Sequence, residues 1–470
     1  MRLRLAAFSA CLSLAAGLRA QTVTVDTLTW NGPTANRINL VFLGDGYTPK
    51  ELDRFSDWAK AAFDSLFLEA KNPTRFYIDH KSMFNAFAVR TPSNQSGVTH
   101  PGKVTRDTYY GCSFEGDWTT GNCNRSQALK TAAKYLPEYT TLIMVFNDQG
   151  GLRATGGEPI YMPEGDYIHV VKHELGHSLG DLEDEYVEDG RTKVCPETPN
   201  TTAETRREAL KWNRWVLAAT AIPTPAGTAG VTGLFEGAGY MSHGCYRPQA
   251  DCIMHSYTGY DQGKLVQFCR VCGEEMILQA YQRVRPVDSA FPPAGAVTMQ
   301  TLERREFRVK PLAVATIAVD WFLDGKAVVS ATPGRLTLGD LAAGDHKLAA
   351  LVRDTTPEVR KNKGLLADTV AWTIHVAPIT GTVAARGSVA GYAIAGDRLS
   401  LDLPGPGLVT LRGLDPLGRT VGMPADGEAA PAGRTVWKLP KGVRMLSVTV
   451  SSGNGAFAPY HRVIPLSPGP

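Results

Sequence analysis

The sequence predicts a mixed α/β (α+β) domain followed by two small all-β sandwich modules. Three observations carry this. Up to about residue 285 the chain mixes helical and strand-like spacings, and Phe55, Trp58, Ala59, Ala62, Phe63 and Leu66 recur at helical intervals. Residues 286–296 (Pro-Val-Asp-Ser-Ala-Phe-Pro-Pro-Ala-Gly-Ala) read as a Pro-rich linker. Beyond them, alternation with turn residues replaces the helical period.

The first 20 residues read as a signal peptide. Met1-Arg2-Leu3-Arg4 is basic, and Leu5 to Gly17 is apolar but too short to span a bilayer as a stable helix. Leu18-Arg19-Ala20 resembles a cleavage site, so the mature chain is expected to start at Gln21. No later segment reads as transmembrane. The expectation is export: a secreted, periplasmic or cell-surface protein.

Residues 21–285 form the first expected domain. Ile38 to Thr48 reads as an early strand and loop, and Leu52 to Glu69 as a helix. Ser126 to Leu136 and Glu274 to Val284 also read as helices. Thr141 to Val145 is a strand, closed by Phe146-Asn147-Asp148-Gln149-Gly150-Gly151. Arg153, Thr155, Gly156 and Gly157 extend that loop. After the linker, residues 297–377 read as an immunoglobulin-like β-sandwich. Its strands include Thr316–Leu323, which ends in an Asp324-Gly325 hairpin turn, then Gly344–Val352 and Thr369–Val376. Residues 380–470 read as a second β module. There Asp415-Pro416-Leu417-Gly418-Arg419 loosely resembles the D-x-x-G-R hairpin of C-terminal sorting domains on some secreted bacterial proteins. Cell-surface or matrix attachment through these modules is one expectation; a carbohydrate-binding or spacing role is the other.

Charge excludes one partner class. Net charge is +3, from 49 basic and 46 acidic residues, and no Lys/Arg block stands out. A nucleic-acid partner is not expected. Of eight cysteines, Cys11 leaves with the signal. Cys112 and Cys123 bracket a Gly-rich loop and are expected to pair. Cys269-x-x-Cys272 could suggest a second zinc site, which would need two more good ligands, or a redox motif, which would want a thioredoxin-like strand before it. The expectation is instead disulfides with Cys252 and with Cys195 or Cys245, one cysteine being left over.

The chemistry concentrates at His173-Glu174-Leu175-Gly176-His177, an H-E-x-x-H motif. On a helix, residues i and i+4 share one face, so both imidazoles can hold one Zn²⁺. Glu174 can then take a proton from water at the metal. Gly180 is expected to end the helix, because glycine tolerates a left-handed turn. An acidic cluster follows: Asp181, Glu183, Asp184 and Glu185. One of these acids is expected to be the third ligand. The spacing rule of sharply bending zinc proteases points to Glu183.

H-E-L-G-H-S-L-G-D-L-E-D-E-Y, residues 173–186, resembles the active-site signature of the IgA-peptidase family of secreted bacterial zinc metallopeptidases. Other matching stretches are Ile38–Thr48, Gly233–Tyr240, Tyr246-Arg247-Pro248, Asp251-Cys252-Ile253-Met254 and Phe268–Cys272, in order over about residues 30–285. The family's usual glycine falls where this chain has Asp181. Alignment on D-E-Y implies Asp184 as third ligand, with Glu183 second. The resemblance also implies a metzincin-like subdomain with Met254 as a floor under the metal. Tyr257 is then a candidate oxyanion donor, with Tyr186, Tyr240, Tyr246 and Tyr260 as competitors. The strand Thr141–Val145, if it is the sheet edge above the metal, would pair with an extended substrate.

The implied function is a zinc-dependent endopeptidase with one catalytic Zn²⁺ and a protein or peptide substrate. A structural Ca²⁺ has no motif to support it. The competing expectation is a surface-binding or adhesive protein built on an inactive peptidase scaffold.

Overall fold

The computed structural model describes residues 22–68, 75–114, 121–148, 157–165, 170–188, 190–191, 193–228, 230–256, 260–261, 264–301, 303–329, 332–377, 392–395, 397–403, 405–415, 418–441, 443–452 and 460–465. The chain divides into two units. The first runs to Val284 and includes Glu358–Arg360; the second comprises Arg285–Pro357 and the chain from Lys361.

A five-stranded sheet organises the first unit. In chain order its parts are β1 (Thr24–Thr29), β2 (Ile38–Asp45), helix α1 (Leu52–Ser65), β3 (Phe84–Arg90), helix α2 (Arg125–Tyr135), β4 (Thr141–Phe146) and β5 (Ile160–Pro163). The strand order is β1-β3-β2-β4-β5. β2 runs parallel to both β3 and β4, β5 is parallel to β4, and β1 is antiparallel to β3. Every residue of β2 and β4 is buried. Such largely apolar, fully buried runs are what a parallel strand covered on both faces requires. Phe55, Ala59, Ala62 and Phe63 form the buried stripe of α1. Val41, Leu43, Phe87, Val89, Leu142, Met144 and Phe146 form one cluster with Ala128 and Ala132 of α2. Each large apolar side chain buried this way contributes about 1.5–3 kcal/mol. Asn124 caps α2 by accepting the Gln127 amide at 3.0 Å.

The last residue of β2 has a separate task. Asp45 is fully buried and accepts from Thr108 Oγ1 (2.7 Å), the Tyr110 amide (2.7 Å) and the Cys112 amide (2.9 Å). Burial pushes its carboxyl above the usual range, against the pull of those hydrogen bonds. Cys112 is disulfide-bonded to Cys123, as expected from their spacing. One carboxylate therefore ties the centre of the sheet to this cross-linked loop.

After β5 come α3 (Val170–Gly180), a hairpin of β6 (Phe235–Ala238) and β7 (Met241–Arg247), and α4 (Arg270–Arg283). The α4 helix packs against α3.

The second unit is β-structure apart from one short 3-10 turn, among the described residues. Strands at 287–291, 305–311 and 335–338 form one sheet; strands at 295–300, 317–323, 326–327, 344–354 and 367–377 form another. Trp321 and Trp372 stack in their shared core, ring centroids 5.8 Å apart. Asp324 and Gly325 both take positive φ (50° and 77°) in the hairpin turn, as that sequence demands. A separate core, with Leu399, Leu411, Trp437 and Val448, lies within strands from 398 onward. Asp415 and Arg419 pair across their turn at 2.7 Å.

Several expectations need correction. Residues 286–296 are not a linker. Val287–Phe291 pairs with Arg308–Pro311, and Gly295–Gln300 runs parallel to Trp372–Ala377. Prolines 292 and 293 mark only the short connection between two strands. Thr141–Phe146 is not a sheet edge, because β5 pairs along its far side. The Cys252 disulfide is also absent: Cys195 bonds Cys245, and Cys252, Cys269 and Cys272 remain thiols. The signal segment 1–20 and loop residues 149–156 lie outside the described residues.

Asp45→Asn keeps the shape but turns an acceptor oxygen into a donor facing other donors. Stability is expected to fall by about 1–3 kcal/mol, read from urea unfolding. A loss below about 0.5 kcal/mol would show that the loop does not depend on this carboxylate.

Candidate metal centre

Helix α3 is buried on nearly every side: Val170, Val171, Lys172, His173, Glu174, Leu175, Gly176, Leu179 and Gly180 are all buried. In a helix this enclosed, each polar side chain without a partner costs free energy. Two glycines make the enclosure fit. A Cβ on Gly176 would sit 2.5 Å from Met254 Sδ, and one on Gly180 would sit 2.5 Å from Met276 Sδ. Gly180 is thus a packing residue and the last residue of the helix, not the left-handed cap. Asp181 takes that conformation, with φ 52°, and its amide bonds the His177 carbonyl at 3.1 Å.

The turn after Asp181 brings an acid back to the helix. His173 Nε2 lies 3.0 Å from Asp184 Oδ1, His177 Nε2 lies 3.3 Å from the same oxygen, and the two Nε2 atoms are 3.2 Å apart. Both Nδ1 atoms face backbone carbonyls: His173 faces Ile253 O at 3.0 Å and His177 faces Leu182 O at 2.6 Å. A carbonyl can only accept, so each Nδ1 donates its proton, which leaves Nε2 as the atom each ring can turn to an ion. Asp184 Oδ1 is buried and has no hydrogen-bond partner other than these two imidazoles.

These three donors could hold a metal ion. The arrangement fits one: donors bound tetrahedrally at about 2.0–2.1 Å stand about 3.3 Å apart. Without an ion, the same atoms perturb each other. Burial would lower the imidazoles, but the Asp184 carboxylate overrides it; His173 is raised and His177 reaches about 9. Burial would raise Asp184, but hydrogen bonds from the two histidines hold it well below the usual carboxylate range. Glu174, almost fully buried, is raised by desolvation against the pull of both histidines.

Of the other expected residues, Met254 lies against Gly176, and its carbonyl accepts the Glu185 amide at 2.8 Å. Glu183 is turned elsewhere: its Oε1 accepts the Asp184 amide at 3.0 Å. Asn200 braces the same loop, accepting the Glu183 amide and donating to the Glu183 carbonyl, each at 2.8 Å. Tyr257 lies outside the described residues. Tyr240, weighed only as an oxyanion donor, does something else: its hydroxyl donates a short hydrogen bond to Asp184 Oδ2. Its φ of 66° and the Arg191 guanidinium 4.0 Å over its ring hold it there. Burial, then the Asp184 carboxylate, raises the Tyr240 phenol, keeping it a donor. Tyr186 packs between His173 and Tyr240. The available signal for Tyr240 was its place in the Gly233–Tyr240 stretch; nothing in spacing alone aims it at Asp184.

Residues 27–228 and 226–279, over half of the chain, match the family model described as IgA Peptidase M64. The chain belongs to the IgA Peptidase M64 family. Proteins of this family are peptidases and metal-dependent in general. No curated protein matches the chain. Solved structures similar to it include fibronectin(III)-like modules of Clostridium thermocellum CbhA, with 16% identity over 19% of this chain and 95% of that one (TM-score 0.15). A chimeric titin Z1Z2-Z1Z2 tandem matches at 12% identity over 38% of this chain and 96% of that one (TM-score 0.16). Bacteroides ovatus SGBP-B matches at 15% identity over 39% and 45% (TM-score 0.16).

Tyr240→Phe removes the donor to Asp184 Oδ2 and little else. Zinc affinity, measured by competition with a chromophoric chelator, is expected to fall about 10–100-fold. Affinity within twofold of wild type would show that Tyr240 does not support the ligand.

Proposed function

We propose that the chain is an exported zinc-dependent endopeptidase, with a metzincin-like arrangement around α3. The reading rests on one observation above others: three donor atoms stand 3.0–3.3 Å apart, each imidazole is fixed by a carbonyl at Nδ1, and Asp184 Oδ1 has no other partner.

His173, His177 and Asp184 would hold the ion. Zn²⁺ bound there supplies Lewis acidity, polarising a peptide carbonyl and lowering the pKa of water to about 7. The rest is the work of the chain. Glu174 accepts the proton of the attacking water and returns it to the leaving amine. Its burial suits this role, since a raised carboxyl is a stronger base than an exposed one. Tyr240 and the Leu182 and Ile253 carbonyls keep the ligands oriented while charge redistributes. Met254, packed under Gly176, forms the floor. Tyr257, three residues beyond it, is the proposed oxyanion donor. The β-rich second unit is proposed to serve attachment or large-substrate contact, not the chemistry itself.

Glu174→Gln separates base from fold. Zinc content should stay at wild type while turnover of a denatured casein-type substrate falls about 10²–10⁴-fold. Turnover within tenfold of wild type would mean that another group takes the proton. A wild-type chain that cleaves nothing would be the inactive scaffold of the competing reading, and cleavage undiminished by chelation would overturn the zinc-dependent mechanism.

The third ligand is tested by a pair of variants. Asp184→Ala is expected to lose zinc and Glu183→Ala to retain it. The opposite result would move the ligand to Glu183.

A further inference from the structure

Behind the proposed catalytic centre lies a second cluster of metal-binding side chains. Glu185, Cys252, Cys269 and Cys272 are all buried, and one ligand atom from each lies within 4.8 Å of the others. Three segments deliver them. Glu185 follows Asp184 on the acidic loop. Cys252 stands two residues before Met254. Cys269 is the N-cap of α4, and Cys272 lies in its first turn. We propose that these four residues form a structural zinc site of the Cys₃Glu type.

The distances favour an ion over a disulfide. Cys252 Sγ and Cys272 Sγ are 3.7 Å apart. Sulfurs bound to one tetrahedral Zn²⁺ at about 2.3 Å stand about 3.7–3.8 Å apart, whereas bonded sulfurs stand about 2.05 Å apart. Cys272 Sγ is 3.2 Å from Glu185 Oε1, and Asn200 Nδ2 holds the same oxygen at 2.9 Å. Glu185 Oε2 is buried without a hydrogen-bond partner. A buried carboxylate oxygen left unpaired is costly, so this one points to a missing ligand partner. The Cys269 amide donates to Cys252 Sγ at 3.4 Å, as amides at a helix N-terminus do toward a thiolate.

The donor set selects the metal. Three sulfurs exclude Ca²⁺ and Mg²⁺, which take oxygen ligands, and a closed set of four without an open position is the pattern of structural zinc. As each sulfur–zinc bond forms, its thiol releases a proton to solvent. Three thiolates and a carboxylate bring four negative charges; Zn²⁺ cancels two, and the Arg247 guanidinium, which acts electrostatically on Glu185, offsets part of the remainder. Such an ion would pin together the loop that carries Asp184, the turn that carries Met254 and the start of α4.

The test uses the full chain, purified without chelator or reductant, with metal content read by elemental analysis. Wild type is expected to hold two zinc ions per chain. His173→Ala with His177→Ala should hold one, and Cys269→Ser with Cys272→Ser should lose one. The decisive material is the double-histidine variant reloaded with Co²⁺, which keeps all four proposed ligands. An intense thiolate-to-cobalt charge-transfer band is expected. Iodoacetamide under denaturing conditions with chelator should then alkylate Cys252, Cys269 and Cys272. If the double-histidine variant holds no metal and gives no such band, or if two of these three cysteines are found joined in a disulfide, the proposal is overturned. Because this variant lacks the proposed catalytic ligands, the result does not depend on whether the chain is an active peptidase.

Discussion

Two backbone carbonyls govern the candidate centre. Ile253 O and Leu182 O each take the Nδ1 proton of one histidine. Neither carbonyl belongs to α3, so the ring orientations depend on two separate loops reaching the helix. Those are the loops that carry Met254 and Asp184. The ligands are therefore positioned by the return of the chain as much as by the helix. The close approach needs Gly176, where any side chain would meet the Met254 sulfur.

Much of this was legible in the sequence because it is local. The i, i+4 spacing puts His173 and His177 on one helix face whatever surrounds them. The buried strands at 38–45 and 141–146 announce themselves as apolar runs, and the Asp324-Gly325 turn follows from backbone sterics. The same reasoning failed where partners are distant. Tyr240 meets Asp184 across 56 residues, and no local pattern encodes that contact. Prolines 292 and 293 suggested a linker, yet proline excludes only a ladder hydrogen bond at its own position; strands resume on both sides.

The cysteines show a different limit. Their number and an exported context favoured disulfides; Cys112–Cys123 pairs as expected, whereas Cys195 bonds Cys245 rather than Cys269 or Cys272. For the remaining three, the chain supplies a carboxylate as fourth neighbour, from a loop already assigned to other chemistry. Counting cysteines cannot reveal that, because Glu185 was read only as one acid in a cluster. The three adjacent acids at 183–185 are in fact sorted by direction: Glu183 turns to backbone, Asp184 to the histidines and Glu185 to the sulfurs.

The left-handed residue at the end of α3 narrows what evolution can do there. Asp181 adopts φ 52°, a conformation cheap for glycine, tolerable for asparagine and aspartate, and costly for β-branched or bulky residues. Aspartate brings its charge to the negative end of a helix, where it is electrostatically disfavoured. Sequence drift at this position therefore passes through a narrow gate of two or three residue types. A homologue carrying valine or isoleucine here would need a different path from the second histidine to its third ligand.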